Sequence, residues 1–226
     1  VVGYMFDIVN PDEEFTLALY QYLVLKLLEE FNRIGQKAIL VGGTGLYIDS
    51  ILKSYKIEDV GIDENLRHSL IKMSNEQLFD ELYKIHSETA LSLNESDKEN
   101  PRRLIRRIEL AHSKTKTCRA NKILNHKIYY PIFDREDLYD KINNRVEEMF
   151  EEGLIEEVKN LVKRGFQDCK SMQGMGYKEV VEYLNGKISL EEAKTKIKQA
   201  HRNYASRQIT WFENKRRGYN LKRVRF

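Results

Sequence analysis

Three glycines around one hydroxyl, in Val41-Gly42-Gly43-Thr44-Gly45-Leu46-Tyr47, make the stretch of this chain best suited to chemistry. Glycines leave backbone N–H groups bare and let a ligand approach closely. The apolar run Ala38-Ile39-Leu40-Val41, which follows Gly35-Gln36-Lys37, predicts a buried strand ending at this turn. Residues 46–52 return to an apolar spacing that predicts a helix, whose N-terminus would favour anionic groups. No Gly-Lys-Ser/Thr follows, so the turn is not a Walker A loop. Spacing alone leaves open a ligand-facing turn or a plain strand-to-helix connection.

Four further groups could carry chemistry. In Pro101-Arg102-Arg103-Leu104-Ile105-Arg106-Arg107, a helix puts Arg102 and Arg106 on one face and Arg103 and Arg107 on the next. Guanidinium groups grip phosphate oxygens through a fixed fork of donors, so this stripe suits a nucleic-acid backbone. The competing reading is a solvated face paired with Glu99 and Glu109. Arg145, in Asp140-Lys141-Ile142-Asn143-Asn144-Arg145-Val146, reads by itself as a surface residue among acids. Ser171-Met172-Gln173-Gly174-Met175-Gly176-Tyr177-Lys178 is a Gly-x-Gly turn leading into a helix. It could cradle a backbone, with Gln173 reading a base edge and Met175 or Tyr177 packing on a ring, or simply join two helices. His201-Arg202-Asn203-Tyr204-Ala205-Ser206-Arg207-Gln208-Ile209-Thr210-Trp211-Phe212 interleaves basic and amide side chains with aromatics, the mixture used for phosphate contact and base stacking. Alternatively, Tyr204, Ile209 and Trp211 are core and the arginines are solvated.

The elements that must position these groups are mostly helical. A helix is expected from Asn10-Pro11-Asp12 through Leu19, Leu23, Leu27, Leu28 and Phe31 to Gly35. Residues 55–125 are polar, rich in Lys and Glu and poor in β-branched residues, and read as a helical insertion. Its helices begin near Asp63, Asn75 and Asn100. Ile128-Tyr129-Tyr130-Pro131-Ile132-Phe133 predicts a strand returning to the core, followed by helices after Asp134 and at residues 154–162. A last long helix should span residues 189–211, with Ser189 as its cap and Glu191 and Glu192 in its first turn. A chain of 226 residues can bury a core as one domain plus an insertion, and its net charge of +3 is too mild to establish a nucleic-acid partner. Cys118 and Cys169 lie far apart without metal-type spacing, as expected of reduced thiols. No apolar run approaches the roughly eighteen residues of a membrane span, and Val1-Val2-Gly3 is not read as a signal peptide. A cytoplasmic monomer with no membrane partner is expected.

Taken in order, Asp7-Ile8-Val9-Asn10-Pro11 and residues 41–47, 100–106, 171–179 and 202–212 resemble the tRNA dimethylallyltransferase family, the isopentenyl-diphosphate:tRNA transferases. The resemblance covers nearly the whole chain. It implies an α/β fold, helix-rich overall, with a P-loop NTPase-like parallel-sheet core formed by residues 1–54 and 126–226 and an insertion, residues 55–125, gripping the anticodon arm. It implies transfer of a dimethylallyl group from dimethylallyl diphosphate to N6 of adenosine 37, releasing diphosphate, with Mg²⁺. By motif, Thr44 with Gly42 and Gly43 would line the channel where adenine meets the donor, and Thr44 would also touch the tRNA. Arg145 would bind the diphosphate. Arg67, Arg102, Arg103 and Arg106 would hold the tRNA backbone. Gln173, Gly174, Met175, Gly176, Tyr177 and Lys178, together with Arg202, Arg207, Gln208, Thr210 and Trp211, would contact the anticodon loop.

The family's Gly-x-x-x-x-Gly-Lys-Ser/Thr loop and its Asp-Ser-x-Gln-x-Tyr segment, whose Asp is the general base, do not occur in these residues. Val1-Val2-Gly3 resembles the end of the strand before that loop, and Tyr4-Met5-Phe6-Asp7 a segment well beyond it. Gly3 and Tyr4 are therefore expected not to be neighbours in the natural protein, whose mass should exceed that of these residues by several kilodaltons. Residues 115–122 match the family poorly and are read as a second such junction. Two alternatives stay open: an adenylate dimethylallyltransferase, which would not need the Arg102 to Arg107 stripe, and a tRNA-binding module without catalysis.

Overall fold

The structure is a computed structural model that describes residues 2–53, 55, 57, 63–113 and 124–225. Cys118 and the segment 115–122 lie outside the described residues. The chain divides into two compact units: residues 1–53 with 123–226, and residues 54–122.

In the first unit, helix α1 (Leu17–Arg33) begins later than the sequence predicts. Asn10 and Glu13 close a turn instead, the Glu13 N–H donating to the Asn10 carbonyl at 3.0 Å. Thr16 supplies the cap, its Oγ1 accepting from the Leu19 N–H at 3.1 Å. Before it, Met5 (φ 69°) and Asp7 (φ 50°) hold left-handed backbone without being glycine, a strained arrangement.

Helix α2 (Gly45–Leu52) follows the glycine turn as predicted. The strand expected just before it is absent: residues 38–41 form no strand, with Ile39 85% and Val41 88% exposed. An apolar run does not make a strand by itself, because strand hydrogen bonds need a neighbour to receive them. The described sheet has two parallel strands, β1 (Ile128–Ile132) and β2 (Leu221–Arg225), in register from Ile128 opposite Leu221 to Ile132 opposite Arg225. β1 falls where predicted and accommodates Pro131; β2 was not foreseen.

Helices α8 (Arg135–Glu151), α9 (Leu154–Lys163), α10 (Tyr177–Leu184) and α11 (Leu190–Phe212) complete this unit. Their apolar faces meet in a core of Val146, Leu154, Val158, Met172, Val180 and Ile197. Each such side chain, withdrawn from water, contributes on the order of 2 kcal/mol before entropy is counted. Ser189 and Glu192 form the predicted capping box at the start of α11.

The elements of the second unit among its described residues are all helices: α3 (Glu64–Leu70), α4 (Asn75–Ile85), α5 (Ser87–Leu91), α6 (Glu95–Lys98) and α7 (Pro101–His112). Asp63, Ser74, Asn94 and Asn100 cap four of these through side-chain oxygens. Leu104, Ile105 and Ile108 of α7 close a separate core with Leu70, Leu78, Leu82, Ala90 and Leu93.

Candidate functional site

Thr44 sits at the N-cap of α2, where a threonine ordinarily folds its hydroxyl back onto the helix's own first-turn N–H groups. Here it makes no such bond. Its Oγ1 lies 2.8 Å from the hydroxyl of Tyr204 on α11. Two further residues on that face of α11 press on the same turn. A Cβ at Gly43 would collide with the Gln208 carboxamide, and a Cβ at Gly45 with the Trp211 indole. Positions 204, 208 and 211 lie on one helix face, so a single face of α11 backs Gly43, Thr44 and Gly45 in turn. Both glycines are required by this approach rather than by a left-handed backbone.

Beneath the turn lies a fully buried carboxylate, Asp49. Arg217 donates to its Oδ2 at 2.8 Å, the Tyr219 hydroxyl donates to Oδ1, and Lys53 Nζ is 3.4 Å from Oδ1. Lys53 also donates to the Arg217 carbonyl at 2.9 Å and lies over the Tyr219 ring. The Trp211 indole N–H donates to the Tyr219 oxygen at 3.0 Å, with the Arg217 guanidinium stacked on the Trp211 ring. Burial first, and then the hydrogen bond to Asp49, raise the Tyr219 hydroxyl above its ordinary pKa, so it stays a donor. This network ties α2 to the end of the chain and fixes the height of the turn.

Other residues expected at the site are placed elsewhere. Arg145, on α8, is exposed and pairs with Glu148 at 3.3 Å and Glu152 at 3.2 Å; among the described residues no contact joins it to Thr44. Arg202 donates to Asn143 at 3.2 Å and stacks over Tyr139, joining α11 to α8. Arg207 and Thr210 are exposed on α11 and, with Ser206, Trp211, Asn214 and Arg217, line a shallow hollow. In the Gly-x-Gly stretch, Gln173, Gly174 and Lys178 are exposed, Met175 is half-buried, and Gly176 takes a left-handed φ of 96° with its N–H bound to Glu179. The Tyr177 hydroxyl donates to Glu157 at 2.6 Å, and burial followed by that bond pushes its pKa up to about 12.

In the second unit, Arg67 makes a bidentate pair with the buried Glu109, at 2.7 and 2.9 Å, and Arg106 reaches the same carboxylate at 3.1 Å. Arg103 pairs with Asp97 at 2.5 Å, while Arg102 and Arg107 are exposed. The stripe is therefore partly spent inside the protein, and the competing reading of ion pairing to Glu109 holds for Arg106. Sequence reasoning missed the Asp49 group, although an acid inside the apolar run of residues 46–52 signals a buried charge in need of partners.

A family profile described as IPP transferase matches residues 2–215. The chain belongs to this family. A relative from Halalkalibacterium halodurans, named tRNA dimethylallyltransferase, is 38% identical, over 95% of this chain and 71% of the relative. The crystal structure of a tRNA isopentenylpyrophosphate transferase from Bacillus halodurans aligns with a TM-score of 0.67 at 37% identity, over 98% of this chain and 71% of that one. A eukaryotic dimethylallyltransferase acting on tRNA aligns with a TM-score of 0.77 at 19% identity, over 96% of this chain and 58% of its own, a likeness of fold. As an IPP transferase family member, the chain has a helix-rich fold with a small parallel sheet. None of its described helices is long and apolar enough to cross a membrane.

Proposed function

We propose that this IPP transferase family member modifies tRNA by moving a dimethylallyl group from dimethylallyl diphosphate to N6 of adenosine 37, with release of diphosphate. One observation carries the reading. The exposed Thr44 hydroxyl is withheld from capping its own helix and held by Tyr204 at a turn that Gln208 and Trp211 back through Gly43 and Gly45, with open space at Gly42. An exocyclic amine is a weak nucleophile, and diphosphate leaves readily only when its charge is held, so the site must position the amine and bind the anion. In this reading Thr44 meets the amine, with Gly42 and Gly43 lining the channel. Arg145 takes the diphosphate, exchanging its two exposed carboxylate partners for a more highly charged one.

The adenine must leave the loop stack to reach such a turn, which asks for a grip on the flanking RNA. Arg102 and Arg103, with Arg67 and Arg106, are assigned to the tRNA backbone. Residues 173–178 and the exposed Arg207 and Thr210 are assigned to the anticodon loop. The first unit is assigned a P-loop-type core. Magnesium does not find a protein cage here: among the described residues no three His, Cys, Asp or Glu side chains gather to hold a metal, and the oxygens of Asp49 are already engaged. The ion would come in on the diphosphate oxygens.

Labelled dimethylallyl transfer to tRNA, with AMP as competing acceptor, tests the reading. Label in tRNA is the expected result. Label in AMP alone would replace it with an adenylate transferase, and tRNA binding without transfer would leave a non-catalytic module.

A further inference from the structure

The Tyr204 hydroxyl has Thr44 as its described hydrogen-bond partner, across 160 residues of sequence. A phenol is a stronger donor than an aliphatic alcohol, so the favoured arrangement has Tyr204 donating to the Thr44 oxygen. Thr44 then keeps one lone pair and its own proton for whatever enters the turn. Without Tyr204, the same hydroxyl would have a ready alternative in the first turn of α2, which its side chain does not cap here, a bond that ordinarily contributes about 1 kcal/mol. The structure adopts the arrangement in which the Thr44 oxygen meets Tyr204 and leaves its own helix uncapped.

The rest of the α11 face supports this choice. Gln208 and Trp211, one and two turns along from Tyr204, abut Gly43 and Gly45, so the turn cannot slide relative to the phenol. Trp211 is anchored in turn through Tyr219 to Asp49.

We infer that Tyr204 is a positioning residue for the reaction: it holds the Thr44 hydroxyl off its helix cap and aimed at the acceptor amine. The inference rests on the role proposed above for Thr44. It separates Tyr204 from its neighbours Arg207 and Thr210, which face outward on the same helix.

The test is a double-mutant cycle in the purified full-length protein, with steady-state transfer to tRNA and thermal unfolding measured for each variant. Tyr204→Phe keeps the ring and removes one oxygen. It should lower kcat by about fivefold to tenfold, the worth of one hydrogen bond, with KM for both substrates within about twofold. Tm should be unchanged, because Thr44 gains its helix cap as it loses the phenol. Thr44→Val should also be slow, and adding Tyr204→Phe to it should cost nothing further. An unaltered kcat in Tyr204→Phe would overturn the inference, as would effects that multiply in the double variant. Wild-type rates in Thr44→Val would remove the Thr44 role along with it, whereas multiplying effects beside a slow Thr44→Val would remove only the inference.

Discussion

Asp49 in the first unit and Glu109 in the second are both buried carboxylates met by cations, but the two arrangements serve different ends. Asp49 takes Arg217 and Tyr219 from more than 160 positions away, so its network joins distant parts of the chain beneath the glycine turn. Glu109 takes Arg106 from the previous turn of its own helix and Arg67 from α3, holding a small helical unit together. The lesson concerns how arginines are counted. A run such as Arg102, Arg103, Arg106 and Arg107 suggests a uniform phosphate-binding stripe, yet the buried Glu109, two residues after its end, claims Arg106 and reaches across to Arg67 as well. What is left for a ligand is the exposed remainder.

The sharpest way to break this comparison is Asp49→Ala. It leaves the Arg217 guanidinium and the Tyr219 hydroxyl without the acid they converge on, and removing one partner of a buried pair costs about 3–5 kcal/mol. Urea unfolding should show a loss of that order, and transfer to tRNA should fall with it because α2 carries Thr44. A stable Asp49→Ala protein with normal transfer would show that the network does not set the turn.

Arg67→Ala should cost less, about 2 kcal/mol, because Arg106 remains on Glu109 and the site is partly exposed. The loss should appear as faster hydrogen exchange in α3 and α7, with exchange in α2 and α11 unchanged. Similar acceleration in both units would mean that the two carboxylates are not independent supports.

Replacing the exposed arginines sharpens the comparison from the other side. Arg102→Ala and Arg107→Ala should each leave stability within about 0.5 kcal/mol. For Arg102→Ala, tRNA binding should weaken and the slope of log affinity against log salt should shrink by roughly one, as for one lost phosphate contact. Arg106→Ala should instead show its main effect on stability. If Arg102→Ala and Arg106→Ala behaved alike in both measurements, the division between structural and ligand-facing arginines would fail.

Local signals were legible wherever the residues concerned lie near one another. Ser189 with Glu192, Asn100 before Pro101, and the spacing of Leu104, Ile105 and Ile108 give the helix starts and the buried face of α7, because capping and 3.6-residue periodicity are local. The exposed run of residues 38–41 and the late start of α1 were not legible, since strand pairing and the choice between rival caps depend on what lies alongside. At the site, the glycines and Thr44 stand out in sequence, but their reason does not. It lies in Gln208, expected to contact the anticodon loop, and in Tyr204 and Trp211, which read equally well as base-stacking or core residues until α11 is placed against the turn. Asp49 carried a legible warning in its apolar neighbours, while its partners Arg217 and Tyr219 did not, for nothing local distinguishes them from Arg216 or Arg223.

The smallest expected effect concerns pH and belongs to the first unit alone. His201, half-buried on α11, is held below its ordinary pKa near 6.5 by burial, with Glu179 opposing weakly. A group whose folded pKa is depressed is protonated first in the unfolded chain as pH falls, so unfolding gains a proton that folding excludes. Stability is therefore complete above the unfolded pKa near 6.5 and declines as pH drops toward the folded value. His201→Gln removes the titrating ring, and the variant should lose less Tm than the wild type between pH 7.5 and pH 5.5. Hydrogen exchange should locate the difference in α11 and leave α7 unmoved. A wild-type acid response equal to that of the variant would show that α11 tolerates the charge, and that its hold on the glycine turn is insensitive to pH in this range.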